Sequence, residues 1–147
     1  MSATRRADAI WSGDLLSGQG TVSAGTSGLF RELPVSWSSR TESADGRTSP
    51  EELLAAAHAA CFSMALSNGL AKNGTPSTRL AVSSDVTFDK VGDGWKVTKS
   101  ELRVRGTVPG IDEAKFVELA QVAKDGCPIS GALKGNVALS VDAKLES

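Results

Sequence analysis

Apolar and polar residues alternate along the first third of the chain. "ADAIWSGD" and "GQGTVSAG" keep the period of two that half-buried strands show, and the glycine-bearing segment around Ser17 and Gly18 supplies a turn between them. "LPVSWSSR" reads as a third strand, and the polar run "TESADGRTSP" places a loop over residues 41–49. The pattern then changes. "EELLAAAHAACFSMALSNGL", residues 51–70, is nearly free of charge after its first two residues and has no clean polar face. Leu53, Leu54, Ala56, Ala57, Ala60, Cys61, Met64 and Ala65 cover most of a helix's circumference. A helix apolar nearly all round is buried on several sides, and its alanines let another backbone approach closely. Its ends are marked as well. Ser49 stands at the N-cap, Pro50 at the first helical position and Glu52 three residues after the cap, while Asn73-Gly74 stops the helix.

Alternation returns with Leu80, Val82, Val86 and Phe88, and "VGDGW" offers Asp-Gly turn chemistry for a hairpin. The return strand runs from residue 95 to about residue 108, and its phase slips between Val97 and Leu102, which predicts a bulge near Lys99 and Ser100. Asp112 caps a second helix that reaches Lys124 and is closed by Gly126. "CPISGALKG" reads as a short third helix with Cys127 at the N-cap and Pro128 at the first position. "NVALSVDAKLE" is a last strand, with Val137, Leu139, Val141, Ala143 and Leu145 on one face. Strands, long helix, hairpin, helices and strand in that order give an α+β fold rather than alternating βαβ units.

A chain of 147 residues fits a single domain, residues 1–147, with a real core. The net charge of −1 and the interspersed signs leave no basic stripe, which argues against nucleic acid or an anionic membrane as partner. The opening "MSATRRADAIW" has no apolar signal region, and no stretch reads as an apolar run of about 18 residues. The expectation is a soluble, cytoplasmic protein. Two cysteines are too few for a disulfide scaffold; in a reducing compartment they are inert, metal-bound or redox-active.

Cys61 on the apolar helix has a plain reading as core filler, since free cysteine packs like a small hydrophobe and burial raises its pKa. Reactivity there requires a cation or hydrogen-bond donors near the sulfur. Cys127 has the stronger local case, because a helix N-terminus favours a thiolate; the other reading is a turn with a mediocre cap. Together the two can be an attacking and a resolving thiol, provided their Cα atoms come within about 7 Å. His58, three residues before Cys61, is either a base for a thiol or a hydrogen-bonded structural residue. A zinc site from His58, Cys61 and Cys127 lacks a fourth ligand and a recognised spacing. Glu51 complements the helix dipole in the first turn; ten residues from Cys61, it sits roughly 15 Å away along a straight helix, so one chain does not easily bring it to its own Cys61, whereas a partner chain packed antiparallel can. Arg40 and Arg47 are surface arginines by default, and either one facing a thiol supplies the missing cation.

"PEELLAAAHAACFSMALS", followed by "VPGID" and "GCPIS", with the opening "AIWSGDL…GQGTVS" and the middle "TSPEEL", resembles the OsmC/Ohr family of thiol-dependent hydroperoxide reductases over essentially the whole chain. "AAHAACFSMAL", and an early loop "LLSGQG" without arginine, look more like the OsmC branch than the Ohr branch. The resemblance implies an intertwined α+β homodimer, antiparallel sheets wrapped around long central helices, with both sites at the interface. It implies Cys61 as the peroxidatic cysteine, Cys127 as the resolving one, Glu51 as the family's glutamate, and Arg40, with Arg47 as the alternative, as the active-site arginine. No metal, haem or flavin is implied, and dithiols of the lipoyl type are the implied reductants.

On that reading a Cys61 thiolate attacks an organic hydroperoxide (or hydrogen peroxide), becomes a sulfenic acid and condenses with Cys127 to a disulfide. Leu53, Phe62 and Met64 are the expected apolar wall of the pocket. The competing readings are a thiol-based redox sensor and a non-enzymatic dimer that binds an apolar ligand. Local sequence makes Cys127 the more acidic thiol, whereas the resemblance makes Cys61 the attacker.

Overall fold

The computed structural model describes residues 1–146. The chain divides into two compact units, Met1–Pro50 and the remainder from Glu51 on. In the first, β1 (Ala7–Ser12) pairs antiparallel with β2 (Gln19–Ala24), and β2 with β3 (Leu33–Val35). The expected turn between β1 and β2 is held by Asp14, whose carboxylate accepts from the Ser17 amide and hydroxyl, both at 2.8 Å. The third strand is shorter than expected. After Val35 the chain turns into α1 (Trp37–Thr41), because Ser36 and Ser39 cap one another reciprocally. Ser36 Oγ accepts from the Ser39 amide and Ser39 Oγ from the Ser36 amide, each at 3.1 Å, so Arg40 sits in the last turn of a helix and not at a strand end.

The second unit begins in the first turn of α2 (Pro50–Lys72). The glycine stop works as read: Gly74 takes φ +81°, the Gly74 amide bonds the Ala71 carbonyl and the Thr75 amide the Leu70 carbonyl, both at 3.0 Å. Along α2 a single stripe is buried, Glu51, His58, Phe62, Leu66 and Leu70. The other side of the helix, with Ala56, Ala57, Ala60 and Met64, is open to solvent, in contrast to the burial on several sides that its composition predicts. By length and composition this helix also qualifies as a membrane span, which corrects the reading that no such run exists. Its buried stripe belongs to the core of a folded unit, and alanines account for much of its apolar average.

Facing that stripe is a three-stranded sheet in the order β4-β5-β6, formed by β4 (Arg79–Val91), β5 (Gly94–Thr107) and β6 (Ala138–Glu146). The β4–β5 turn uses Gly92, at φ +61°, and Asp93, so the tight position falls on the glycine before the expected Asp-Gly pair. The predicted bulge is present one residue early, at Thr98: Thr87 pairs with Lys99 and Phe88 with Val97. β6 pairs parallel to β5, so this sheet is mixed and not wholly antiparallel. The crossover through α3 (Glu113–Gly126) and α4 (Pro128–Leu133) makes that possible, since a parallel pair cannot be joined by a tight turn. Asp112 caps α3 as expected, its carboxylate accepting from the Lys115 amide at 2.8 Å. Gly126, however, is an ordinary helical residue. The helix ends because Pro128 holds Cys127 in extended backbone, φ −64° and ψ +128°.

The core gathers Phe62, Leu66 and Leu70 of α2, Leu102 and Val104 of β5, Val108 just beyond it, and Phe116, Ala120 and Ala123 of α3 around Cys127. Phe62 is thus a core residue and not part of a pocket wall. Gly106 on β5 leaves room for the Phe116 ring, whose atoms would lie 2.5 and 2.8 Å from a Cβ placed there. Gly106→Ala is therefore expected to cost about 1–3 kcal/mol by overpacking, read as a lower denaturation midpoint with an unchanged slope.

Candidate active site

The core brings the two cysteines together. Cys61 is half-buried on α2, and Cys127 is buried where α3 gives way to α4. Sixty-six positions apart in the chain, their sulfurs lie 2.8 Å from each other and both are free thiols. Whichever sulfur keeps its proton donates it to the other, so the pair titrates as a unit. Burial pushes the Cys61 thiol up, and its hydrogen bond to Cys127 and the charge there push it further, against a weaker pull from the Ile129 amide. At Cys127 burial also acts upward. There it is outweighed by the hydrogen bond from Cys61, by the amide and hydroxyl of Ser130 and by the Ile129 amide, and the thiol falls below its ordinary value. The Cys127 sulfur makes no capping hydrogen bond of good alignment, so the amides of α4 act on it mainly as nearby dipoles. Of the two, Cys127 is therefore the more acidic thiol and Cys61 the less acidic one.

His58, one turn before Cys61 and Phe62, is completely buried and bonded at both nitrogens. Nδ1 lies 2.6 Å from the Ser100 hydroxyl and Nε2 lies 2.8 Å from the Ser130 hydroxyl, while Ser100 Oγ is 2.9 Å from Ser84 Oγ. Burial lowers the imidazole's pKa and keeps it neutral, so one nitrogen donates and the other accepts. These serines are functional candidates that sequence reasoning missed. Ser130 stands three residues after the Cys127 cap, a spacing visible in the sequence, whereas Ser100 faces the core through the register that the bulge at Thr98 sets. With both its nitrogens occupied, His58 is not a metal ligand here. Among the described residues no three His, Cys, Asp or Glu side chains cluster as a metal site.

Glu51 is buried in the first turn of α2, only 7% exposed. In the first unit, the Arg40 guanidinium stands 5.6 Å from the centre of the Trp37 ring. Arg40 also lines an apolar cavity of about 300 Å³ with Trp11, Leu15, Val35, Trp37 and Pro50. Arg47 instead reaches Asp45 of its own loop, at 3.7 Å.

The family described as OsmC-like protein matches residues 43–142. Peroxiredoxin OsmC of Escherichia coli is 43% identical over 144 residues, 98% of this chain and 99% of that protein. An organic hydroperoxide resistance protein of Xanthomonas axonopodis pv. citri is 34% identical over 91 residues, covering 61% of this chain and 62% of that one. The crystal structure of the organic hydroperoxide resistance protein OhrB of Bacillus subtilis superposes with a TM-score of 0.75 at 25% identity, over 95% of this chain and 98% of that one. The sequence, the α+β fold and the paired thiols converge on one conclusion: this chain belongs to the OsmC family.

Proposed function

We propose that this protein is a cysteine peroxidase that reduces organic hydroperoxides, and hydrogen peroxide, through Cys61 and Cys127. The observation that carries the reading is the 2.8 Å separation of the two sulfurs, which lets a sulfenic acid on one be captured by the other. Its relatives' names point the same way, peroxiredoxin in one case and organic hydroperoxide resistance in the others.

In this scheme the shared proton passes from Cys61 to Cys127. The Cys61 thiolate attacks a peroxide oxygen, the O–O bond breaks, and the departing alkoxide takes a proton to leave as ROH. Cys61 becomes a sulfenic acid. Cys127 then attacks the Cys61 sulfur; the S–S bond forms, the S–O bond breaks, and hydroxide leaves as water with a proton from solvent. A dithiol, of the lipoyl type, returns both sulfurs to thiols by exchange. Attack by Cys61 calls for a cation, because burial and its neighbour push the Cys61 thiol up while Cys127 is pulled down. Arg40 fills that role, and its place beside an apolar cavity suits an organic peroxide; Arg47 is engaged with Asp45. Glu51 orients the arginine fork by a charge-assisted pair.

The same proposal takes residues 1–147 as one OsmC-like domain working as a homodimer in the cytoplasm. Its support is the open face of α2, where Met64 is 70% exposed among alanines on the helix that should be the most buried. A second copy packed on this face removes that apolar surface from water.

Two outcomes check the proposal. Wild-type protein should consume tert-butyl hydroperoxide in the presence of dithiothreitol, and Cys61→Ser should remove the activity; turnover retained in that variant ends the assignment. Sedimentation should give twice the chain mass, and a stable, active monomer contradicts the dimer.

A further inference from the structure

The peroxidase scheme leaves one proton unplaced and one buried group unused. Once Cys61 has passed its proton to Cys127, Cys127 must lose it before it can close the disulfide, and the group that loses it is almost wholly enclosed: Cys127 is 1% exposed, and Ser130 the same. Resting on that scheme, we propose that His58 serves the resolving step. Acting through Ser130, it keeps the Ser130 hydroxyl directed at the Cys127 sulfur and gives the Cys127 proton a buried exit through Ser100 to Ser84.

The geometry is a continuous chain of five groups. The amide and hydroxyl of Ser130, one turn along α4, hydrogen-bond toward the Cys127 sulfur; Ser130 Oγ lies 2.8 Å from His58 Nε2; His58 Nδ1 lies 2.6 Å from Ser100 Oγ; Ser100 Oγ lies 2.9 Å from Ser84 Oγ. Ser84 is half-buried, whereas His58 and Ser100 are fully enclosed. A hydroxyl has one proton to donate and lone pairs to accept with, and a neutral imidazole donates at one nitrogen and accepts at the other. The chain therefore has two directions. With Cys127 as thiolate, Ser84 donates to Ser100, Ser100 to Nδ1, Nε2–H to Ser130, and Ser130 to the sulfur. With Cys127 protonated, every donor reverses and the thiol donates to Ser130. Passing from the second arrangement to the first hands one proton along the chain from the sulfur to Ser84, whose own hydroxyl proton leaves to solvent from this half-buried position, and needs no side chain to leave its place.

The titratable and charged groups around this chain are few. Cys61 faces Cys127 from α2. From the α3 side Lys124 and Asp125, paired at 3.5 Å, and Lys134 beyond α4 line a cavity of about 210 Å³ with Ser130. On β4 and β5 the neighbouring charges, Asp85, Lys99 and Glu101, are exposed.

The test separates closure from attack. Reduced wild-type protein, His58→Gln, Ser130→Ala and the double variant are mixed rapidly with one equivalent of tert-butyl hydroperoxide at a series of pH values. Peroxide loss reports attack, and alkylation-quenched mass spectrometry reports disulfide closure. Closure requires the thiolate, so raising the Cys127 pKa moves its profile to higher pH. Each single variant should lower the ratio of closure rate to attack rate about tenfold at neutral pH and shift the closure midpoint up by about one unit, the scale of one hydrogen bond to an anion. The double variant should be no slower than Ser130→Ala, because His58 works through that hydroxyl. Wild-type ratios and midpoints in the single variants overturn the inference, as do effects that multiply in the double. Should His58→Gln fail to fold, an unaltered closure profile in Ser130→Ala overturns it alone. A wild-type chain that consumes no peroxide overturns the underlying peroxidase reading instead.

Discussion

Two sulfurs from distant parts of the chain can share one proton only if two helices are fixed against each other to within a few tenths of an ångström. Cys61 rides on a long helix whose stripe of Phe62, Leu66 and Leu70 is locked into the core. Cys127 rides on the junction of α3 and α4, held by Phe116, Ala120 and Ala123 on one side and by Pro128 on the other. The parallel placement of β6 follows from the same requirement. A tight turn after β5 would leave no room for the two helices that carry Cys127, so the crossover and the mixed sheet come together.

The electrostatics of that contact are asymmetric. Both thiols suffer the cost of burial and both feel the Ile129 amide, but only Cys127 also has the amide and hydroxyl of Ser130 on its side. A thiol more acidic at Cys127 than at Cys61 suits the resolving half of the proposed reaction and opposes its first half. The proposed arginine is the counterweight that lets Cys61 take its turn. In the proposed scheme a proton crosses from one sulfur to the other and then leaves, and the enclosed His58 lies on a hydrogen-bonded path from Ser130 through Ser100 to Ser84.

Much of this was legible in the chain. Pro50 and Asn73-Gly74 bound α2 because proline and glycine act through backbone sterics alone, which no tertiary contact overrides. Cys127 before Pro128 marked its own cap for the same reason. The misses share a different cause. Trp37 and Val35 favour a strand, and the Ser36–Ser39 capping pair that turns the chain into α1 depends on two side chains meeting, a signal weaker than propensity until the geometry is formed. Ser100 could not be told from a solvent-facing serine until the bulge at Thr98 set the register that turns it inward. The open side of α2 is the reverse case: its composition announces burial that a single chain does not supply.

The meeting of Cys61 and Cys127 within one folded chain is tested most directly by brief treatment of the reduced protein with one equivalent of hydroperoxide, followed by non-reducing digestion and mass spectrometry. The geometry predicts a loss of about two daltons per chain, two thiol hydrogens leaving as one disulfide forms, and a linked peptide joining Cys61 to Cys127. Both cysteines recovered as separate thiols or as over-oxidised acids, with no linked peptide, would contradict it.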